Sequence, residues 1–421
     1  MAQGKEVSQA PFILCSCLSA IFGLVNALTG AVLPDLEHQA EMDTGGIGTM
    51  FVERQVGSML CGFMCGFVLE VVWNPHHFLV CVLLLKACVE FIVPFSNSQW
   101  LLGLDMFILQ GCANAMLTLA NASISWTYGK LMGMQMNVMN GVFGVGAALA
   151  PLLAGAFRVS GLHAAYGYWV VLVLDLMCIV AALMIPATPN PKLCCQAQAE
   201  KKEALLLRQS SDDSEESEAP AAVEEVQEIH LRDVILGCTS MVFAGTAEAA
   251  MTFWLYRYAT LQLHLSGGLA GALNMMFFVA FTCTRFLCGA LVMRTGPEVI
   301  LVGSSAVALL ASVSMVLPGG GTAMPCLGLV FTAVGIAGLY PNSITLLGKR
   351  SFISGRSQGI MRVAAAAGAL LGSSGPGYLQ KAGLFGDAAV PTMVIAPMVA
   401  EMLLLAVWLR ETPLPEKPIL E

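Results

Sequence analysis

Apolar residues gather into twelve long stretches, and one long polar insert divides them six and six. The first six are Phe12–Leu33, Ile47–Leu69, Phe78–Phe95, Leu101–Ser125, Met134–Phe157 and Tyr166–Ile185. After the insert come Val234–Tyr258, Leu269–Met293, Val299–Leu317, Met324–Leu347, Ile360–Leu379 and Ala389–Leu409. A helix needs roughly 20 apolar residues to cross a bilayer core, where backbone groups find no water and must bond within their own segment. The pattern predicts an all-α polytopic membrane protein with 12 transmembrane helices in two six-helix bundles. The N-terminal bundle should occupy 1–187 and the C-terminal bundle 233–411, joined by an acidic linker over 188–232 and followed by a tail over 412–421.

Composition agrees, with 57% hydrophobic and only 11% charged residues. Positive charge sets the orientation, because cytoplasmic loops collect Lys and Arg. Lys5, Lys130, Arg208, Arg294, Lys349, Arg350, Arg356 and Arg410 fall on the side of the termini, whereas the opposite loops hold only Arg158, Arg257 and Lys381. Both termini and the insert are therefore expected in the cytoplasm, in a protein of the plasma membrane or, as the alternative, of an internal membrane. The formal charge of −8 sits largely in the insert, which excludes nucleic acid as a partner. Its run Ser210–Glu218 cannot bury apolar surface and should be disordered, a solvated tether or a kinase substrate. The 14 Cys lack metal-ligand spacing, and only Cys194–Cys195 stand where acylation is an option. His76-His77 is a loop pair, and no His/Cys/Ser constellation points to an enzyme or to a bound metal or cofactor.

An internal repeat survives. A shift of about 222 residues lays Gly146–Gly155 over Gly368–Gly377, Asn74-Pro75 over Gly296-Pro297, and Gly23 over Gly245. Parallel six-span repeats with a solute site between them are one way to build a transporter. The turn Gly289-Ala-Leu291-Val-Met-Arg294-Thr-Gly296 resembles the major facilitator loop signature, with Met293 in place of Asp, and Gly66-Phe-Val-Leu-Glu70 is its N-terminal counterpart. Further segments are Gly30–Leu36, Phe51–Gly57, Gly146–Leu153, Gly245–Glu248, Trp254–Thr260 and Phe281–Arg285. Together they resemble the sodium-dependent glucose transporter branch of the fucose/glucose permeases. One departure stands out: Leu117-Thr118-Leu-Ala-Asn121 occupies the place where that branch carries Asp-Thr-Gly-x-Asn.

The resemblance implies a major facilitator fold whose first, fourth, seventh and tenth spans line a central cavity. Asn114, Thr118, Asn121 and Ser125 recur at steps of four, three and four, one polar stripe along the fourth span. Asn26 and Thr29 in the first span, Glu248, Thr252, Trp254 and Tyr256 in the seventh, and Tyr340 and Asn342 in the tenth complete the expected lining. Asn137 and Asn140 in the fifth are equally suited to lining and to helix packing. Neutral amides, hydroxyls and aromatics suit a polyhydroxylated solute such as a monosaccharide.

Glu248 lies mid-span, where an ionised carboxylate costs at least about 2.5 kcal/mol, and is the expected coupling site for sodium or a proton. A structural latch to a neighbouring arginine is the competing account, and a passive carrier would need no coupling. Arg285 is expected in a cytoplasmic gating network with Gly289, Arg294 and Gly296, away from the substrate, and Arg54 is expected to pair with Asp35 near the outside. Glu53, Glu90, Asp105, Asp175 and Glu401 are expected to snorkel or cap near span ends. The leading function is a monomeric, alternating-access carrier of a small polar solute. The alternatives are an organic anion carrier, for which Arg362 is the sole candidate cation, and a non-transporting receptor or scaffold.

Overall fold

Long helices stand where the apolar stretches fall. They are α1 (Ala10–Ala31), α2 (Thr44–Val71), α3 (Pro75–Ile92), α4 (Gln99–Tyr128), α5 (Met132–Val159) and α6 (Gly167–Met184) in the first half. The second half holds α7 (Leu231–Arg257), α8 (Gly267–Thr295), α9 (Pro297–Ser314), α10 (Ala323–Ala337, resuming as Leu339–Arg350), α11 (Gly355–Lys381) and α12 (Ala389–Glu411). This computed structural model describes residues 9–42, 44–72, 74–128, 131–187, 231–317, 321–350 and 353–411. The insert with Cys194, Cys195 and Ser210–Glu218, and the tail 412–421, lie outside the described residues.

Among the described residues, ten of these helices are long and apolar enough to cross a membrane. The other two, α2 and α11, have 28 and 27 residues but carry more Gly, Ser and charge. They can do so because they pack on each other, and this contact joins the two halves. Local sequence sets the helix ends. Asn74 caps α3 by accepting from the His76 N–H at 3.0 Å, and Ser354 caps α11 by accepting from the Ser357 N–H at 3.1 Å. Gly296 closes α8 at φ +81°, and Pro297 starts α9 at once, a turn that only glycine makes without strain.

The repeat is physical. In the first half α1 crosses α5 so closely that a Cβ on Gly23 would lie 1.9 Å from the Phe143 carbonyl oxygen, and one on Gly146 would lie 1.9 Å from that of Ala20. In the second half α7 crosses α11 so that a Cβ on Gly245 would lie 2.4 Å from Ala365 O and one on Gly368 would lie 2.2 Å from Val242 O. One shift of 222 residues carries Ala20, Gly23, Phe143 and Gly146 onto Val242, Gly245, Ala365 and Gly368. Small residues let helix backbones touch where lipid gives no hydrophobic drive to associate.

The halves meet on the side where α1 begins and α12 ends. There Gly62 and Gly66 of α2 pack on Gly359 and Gly355 of α11, while Gly133, Gly141 and Gly144 of α5 receive Val292, Phe286 and Thr282 of α8. Glu70 accepts from the Arg356 backbone N–H at 3.1 Å, and the Trp126 indole donates to Ile353 O at 3.1 Å. On the opposite side the rings of Phe51 and Phe253 bridge the halves at 5.4 Å.

Several acids expected near span ends are buried instead. Lys86, Glu90 and Asp175 are all 0% exposed, and Lys86 Nζ reaches Glu90 at 2.5 Å and Asp175 at 2.6 Å, tying α3 to α6. Glu401 accepts from Ser240 Oγ at 2.6 Å, and Asp105 accepts from Ser96 Oγ. A partner inside the bundle removes the reason to snorkel.

Gly146→Val should destabilise the protein by about 1–3 kcal/mol, because the added atoms meet backbone and cannot be accommodated by a rotamer change. Gly155→Ala, where a Cβ has nothing within 4 Å, should leave the melting temperature unchanged or raise it. Heating series followed by fluorescence-detected gel filtration distinguish the two.

Candidate functional site

Beyond the seal, on the side away from the start of α1 and the end of α12, the halves line a cavity of about 140 Å³. The first half contributes Phe22, Asn26, Gln55, Gln110, Asn114, Leu117, Asn140 and Phe143 to its walls, and the second contributes Glu248, Thr252, Phe253, Arg285, Tyr340 and Arg362. Of the expected lining, Asn26, Asn114, Asn140, Glu248, Thr252 and Tyr340 are brought together here. The others are not. Thr29 is buried against the Tyr168 hydroxyl at 3.0 Å, Thr118 donates to Asn114 O of its own helix at 2.8 Å, and Trp254 donates to Ser373 O at 2.8 Å. Tyr256 is 48% exposed on the outer surface.

The polar stripe of α4 has a different role from simple lining. Asn114 Oδ1 accepts from Arg362 Nε at 2.7 Å, Asn121 donates to the Tyr340 hydroxyl at 3.1 Å, and Ser125 accepts from Gln358 at 3.4 Å. Each of these bonds crosses from one half to the other. Asn137 and Asn342 add a reciprocal amide pair at 3.2 and 3.3 Å between α5 and α10. The stripe is thus a ladder of inter-half bonds descending from the cavity floor into the seal. Its spacing showed one polar face, but could not show which helix that face meets.

Two arginine assignments are corrected. Arg54 does not pair with Asp35: its Nη2 donates to Asn26 Oδ1 at 2.8 Å, and Asp35, just after α1, pairs with Arg158 in the last turn of α5. Asp35 sits in a short helix, Leu33–Gln39, beyond the turn at Val32, where its partner is the α5 arginine. Arg285 is not part of a network with Arg294. It lies ten residues before the end of α8, about 15 Å along the axis, and it faces the cavity while Arg294 is exposed.

Arg285 is fully engaged. Its Nη2 meets Glu248 Oε2 at 3.1 Å, Nη1 donates to Asn140 O at 3.0 Å, Nε donates to Ala337 O at 3.2 Å, and the guanidinium covers the Phe281 ring at 4.0 Å. Glu248 is therefore held in an ion pair at the cavity wall, 26% exposed beside an Arg285 that is 3% exposed, so the carboxylate offsets the desolvation of the buried guanidinium. A Cβ added to Gly289 would lie 3.3 Å from Met134 O and from the Asn137 Cβ, so the glycine faces α5 and belongs to the seal. Gly296 makes the α8–α9 turn, beside which Lys349 and Glu298 pair at 3.5 Å. Sequence reasoning missed Gln55 and Gln110. Gln110 lies four residues before Asn114, so extending the stripe by one turn would have found it.

Two six-helix halves related by a repeat, sealed on one side around a polar cavity, define a solute carrier rather than an enzyme. The chain belongs to the Major Facilitator Superfamily, whose profile matches residues 15–373. It is 23% identical to human sodium-dependent glucose transporter 1 over 385 residues, 87% of this chain and 73% of that protein. It is also 30% identical to mouse sodium-dependent glucose transporter 1A over 132 residues, 31% of each chain. Among solved structures it is similar to FucP in the outward conformation (TM-score 0.69, 15% identity, covering 96% of this chain and 99% of that one). It is likewise similar to the proton:xylose symporter XylE bound to 6-bromo-6-deoxy-D-glucose (TM-score 0.73, 11% identity, 95% of each chain).

If Glu248 and Arg285 act as a pair, Glu248→Gln and Arg285→Gln should each destabilise the protein, and the double variant should cost less than the two added. The expected coupling is about 0.5–3 kcal/mol. Melting temperatures of the four purified proteins measure it.

Proposed function

We propose that the protein carries a small polyhydroxylated solute of the monosaccharide class across the membrane by alternating access. The observation that carries this reading is the cavity wall. Five amide side chains, Asn26, Gln55, Gln110, Asn114 and Asn140, surround one space with Phe22 and Phe143. An amide offers a donor and an acceptor to neighbouring hydroxyls, and aromatic faces cover the C–H face of a sugar ring. Relatives named for glucose, fucose and xylose support the substrate class. With the termini in the cytoplasm of a plasma-membrane protein, the sealed side faces inward, and the structure corresponds to an outward-facing state.

Transport then requires the seal to part while the opposite side closes. The inter-half bonds of Asn114, Asn121, Ser125 and Asn137 are what must break, and the Phe51–Phe253 contact is where the outer side begins to close. Glu248 is the coupling group in this reading. Sodium or a proton arriving at its carboxylate weakens the hold on Arg285 and frees that guanidinium from its place between Glu248, Asn140 and Ala337. A carrier of this kind works as a monomer.

In proteoliposomes, labelled monosaccharides should exchange across the membrane, and a sodium or pH gradient should drive accumulation. Glu248→Gln should abolish the accumulation and leave downhill exchange measurable. A variant that still concentrates solute with the wild-type ion dependence would remove Glu248 from coupling. Failure of every sugar to exchange would remove the substrate class.

A further inference from the structure

The cavity carries more positive charge than its partners cancel. It is lined by two guanidiniums, Arg285 and Arg362, and by one carboxylate, Glu248, which is committed to Arg285. Leu117 lines the same space and brings no charge. Behind the wall, fully buried Arg54 adds a third guanidinium, whose recorded side-chain partner is the neutral Asn26. Other cations buried among the described residues are matched with acids: Lys86 with Glu90 and Asp175, and Arg350 with Asp233 at 4.0 Å.

Arg362 is held in place but not neutralised. It is 6% exposed, donates from Nε to Asn114 Oδ1 at 2.7 Å and from Nη1 to the Tyr340 hydroxyl at 2.5 Å, and lies over the rings of Phe22 and Tyr340 at 5.5 and 5.4 Å. No carboxylate lies within 4.0 Å of it among the described residues, and Nη2 has no protein partner there. A guanidinium has five N–H donors, and these bonds use two. A cation fixed at membrane depth without a counter-charge is costly, and such residues mark ligand sites.

Resting on the proposed function, we infer that the solute is a polyhydroxylated monocarboxylate, a sugar acid, whose carboxylate binds Arg362 while its hydroxyls meet the amide wall. One accessible, uncancelled guanidinium fits one carboxylate, which it can hold by two parallel N–H···O bonds. The same contact reaches the seal. Arg362 of α11 bonds Asn114 of α4 across the halves, so an anionic oxygen on the guanidinium competes with the Asn114 amide oxygen and weakens a rung of the ladder. Substrate binding thereby loosens the closed side, which is what a carrier needs from its cargo.

The test is counterflow in proteoliposomes at fixed pH and ionic strength, using labelled D-glucuronate and D-glucose on the wild type, Arg362→Gln and Arg362→Lys. Wild type is expected to prefer glucuronate over glucose at least tenfold in kcat/KM. Arg362→Gln should lower that preference at least tenfold, and Arg362→Lys should retain part of it. Should Arg362→Gln fail to elute as a folded monomer, the wild-type preference and competition of glucuronate against glucose decide alone. Exchange of glucose with no preference for glucuronate, or an unchanged preference in a folded Arg362→Gln, overturns the sugar-acid inference and leaves the proposed monosaccharide carrier standing. Exchange of neither compound by folded wild type overturns both.

Discussion

Inside a lipid-embedded bundle there is no water to receive a polar group, so each must be satisfied by another helix or by a ligand. Most of this structure follows from that constraint. It forces Lys86, Glu90 and Asp175 into one buried cluster between α3 and α6, and it sends Glu401 to the Ser240 hydroxyl. It also explains where the two halves touch. The helices least suited to lipid, α2 and α11, meet each other, and the amides and hydroxyls of α4 find their partners on α10 and α11.

The two halves are copies in backbone and differ in charge. Close glycine crossings recur at one shift of 222 residues, which also carries Asn26 onto Glu248. In both halves an arginine from the second helix reaches the first: Arg54 to Asn26, and Arg285 to Glu248. One arginine meets a neutral amide and the other a carboxylate. The symmetric scaffold thus holds an asymmetric site, with the cancelled charge in the second half and a residual positive field around the shared cavity. A carrier gains from this arrangement, because rigid, similar halves can rock about a site whose chemistry is set by a few side chains.

The seal is built from weak, separable parts. Glycine contacts between α2 and α11 and between α5 and α8 bring backbones close without deep interlocking side chains. Most of the bonds laid over them are neutral amide and hydroxyl pairs, each worth about 0.6 kcal/mol on average in a membrane protein, and the Arg362–Asn114 rung is charge-assisted. A ladder of such rungs holds one state firmly, yet a ligand that replaces one or two of them can shift the balance. The ion pairs Lys86–Glu90, Lys86–Asp175, Arg350–Asp233 and Arg285–Glu248 each lie within a single half, so the halves can part without breaking them.

What the sequence determined alone was local: the length and order of the spans, the six-plus-six division, the repeat, and which residues share one helix face. Those properties are legible because helical periodicity and apolar length are written along the chain. The stripe Asn114–Ser125 and the mid-span acid Glu248 were both visible this way. Partners were not. Asp35 lies beyond a turn that gives it to Arg158 rather than Arg54; Arg285 faces the cavity instead of the loop; Asn121 and Ser125 bind across the halves below the cavity. Those outcomes depend on how each helix is rotated about its axis and which neighbour it crosses, and a rotation of one residue, about 100°, moves a side chain from cavity to seal or lipid. Rotation is fixed only when all the helices pack together, because close glycine contacts and the pairing of buried charge must be satisfied at once.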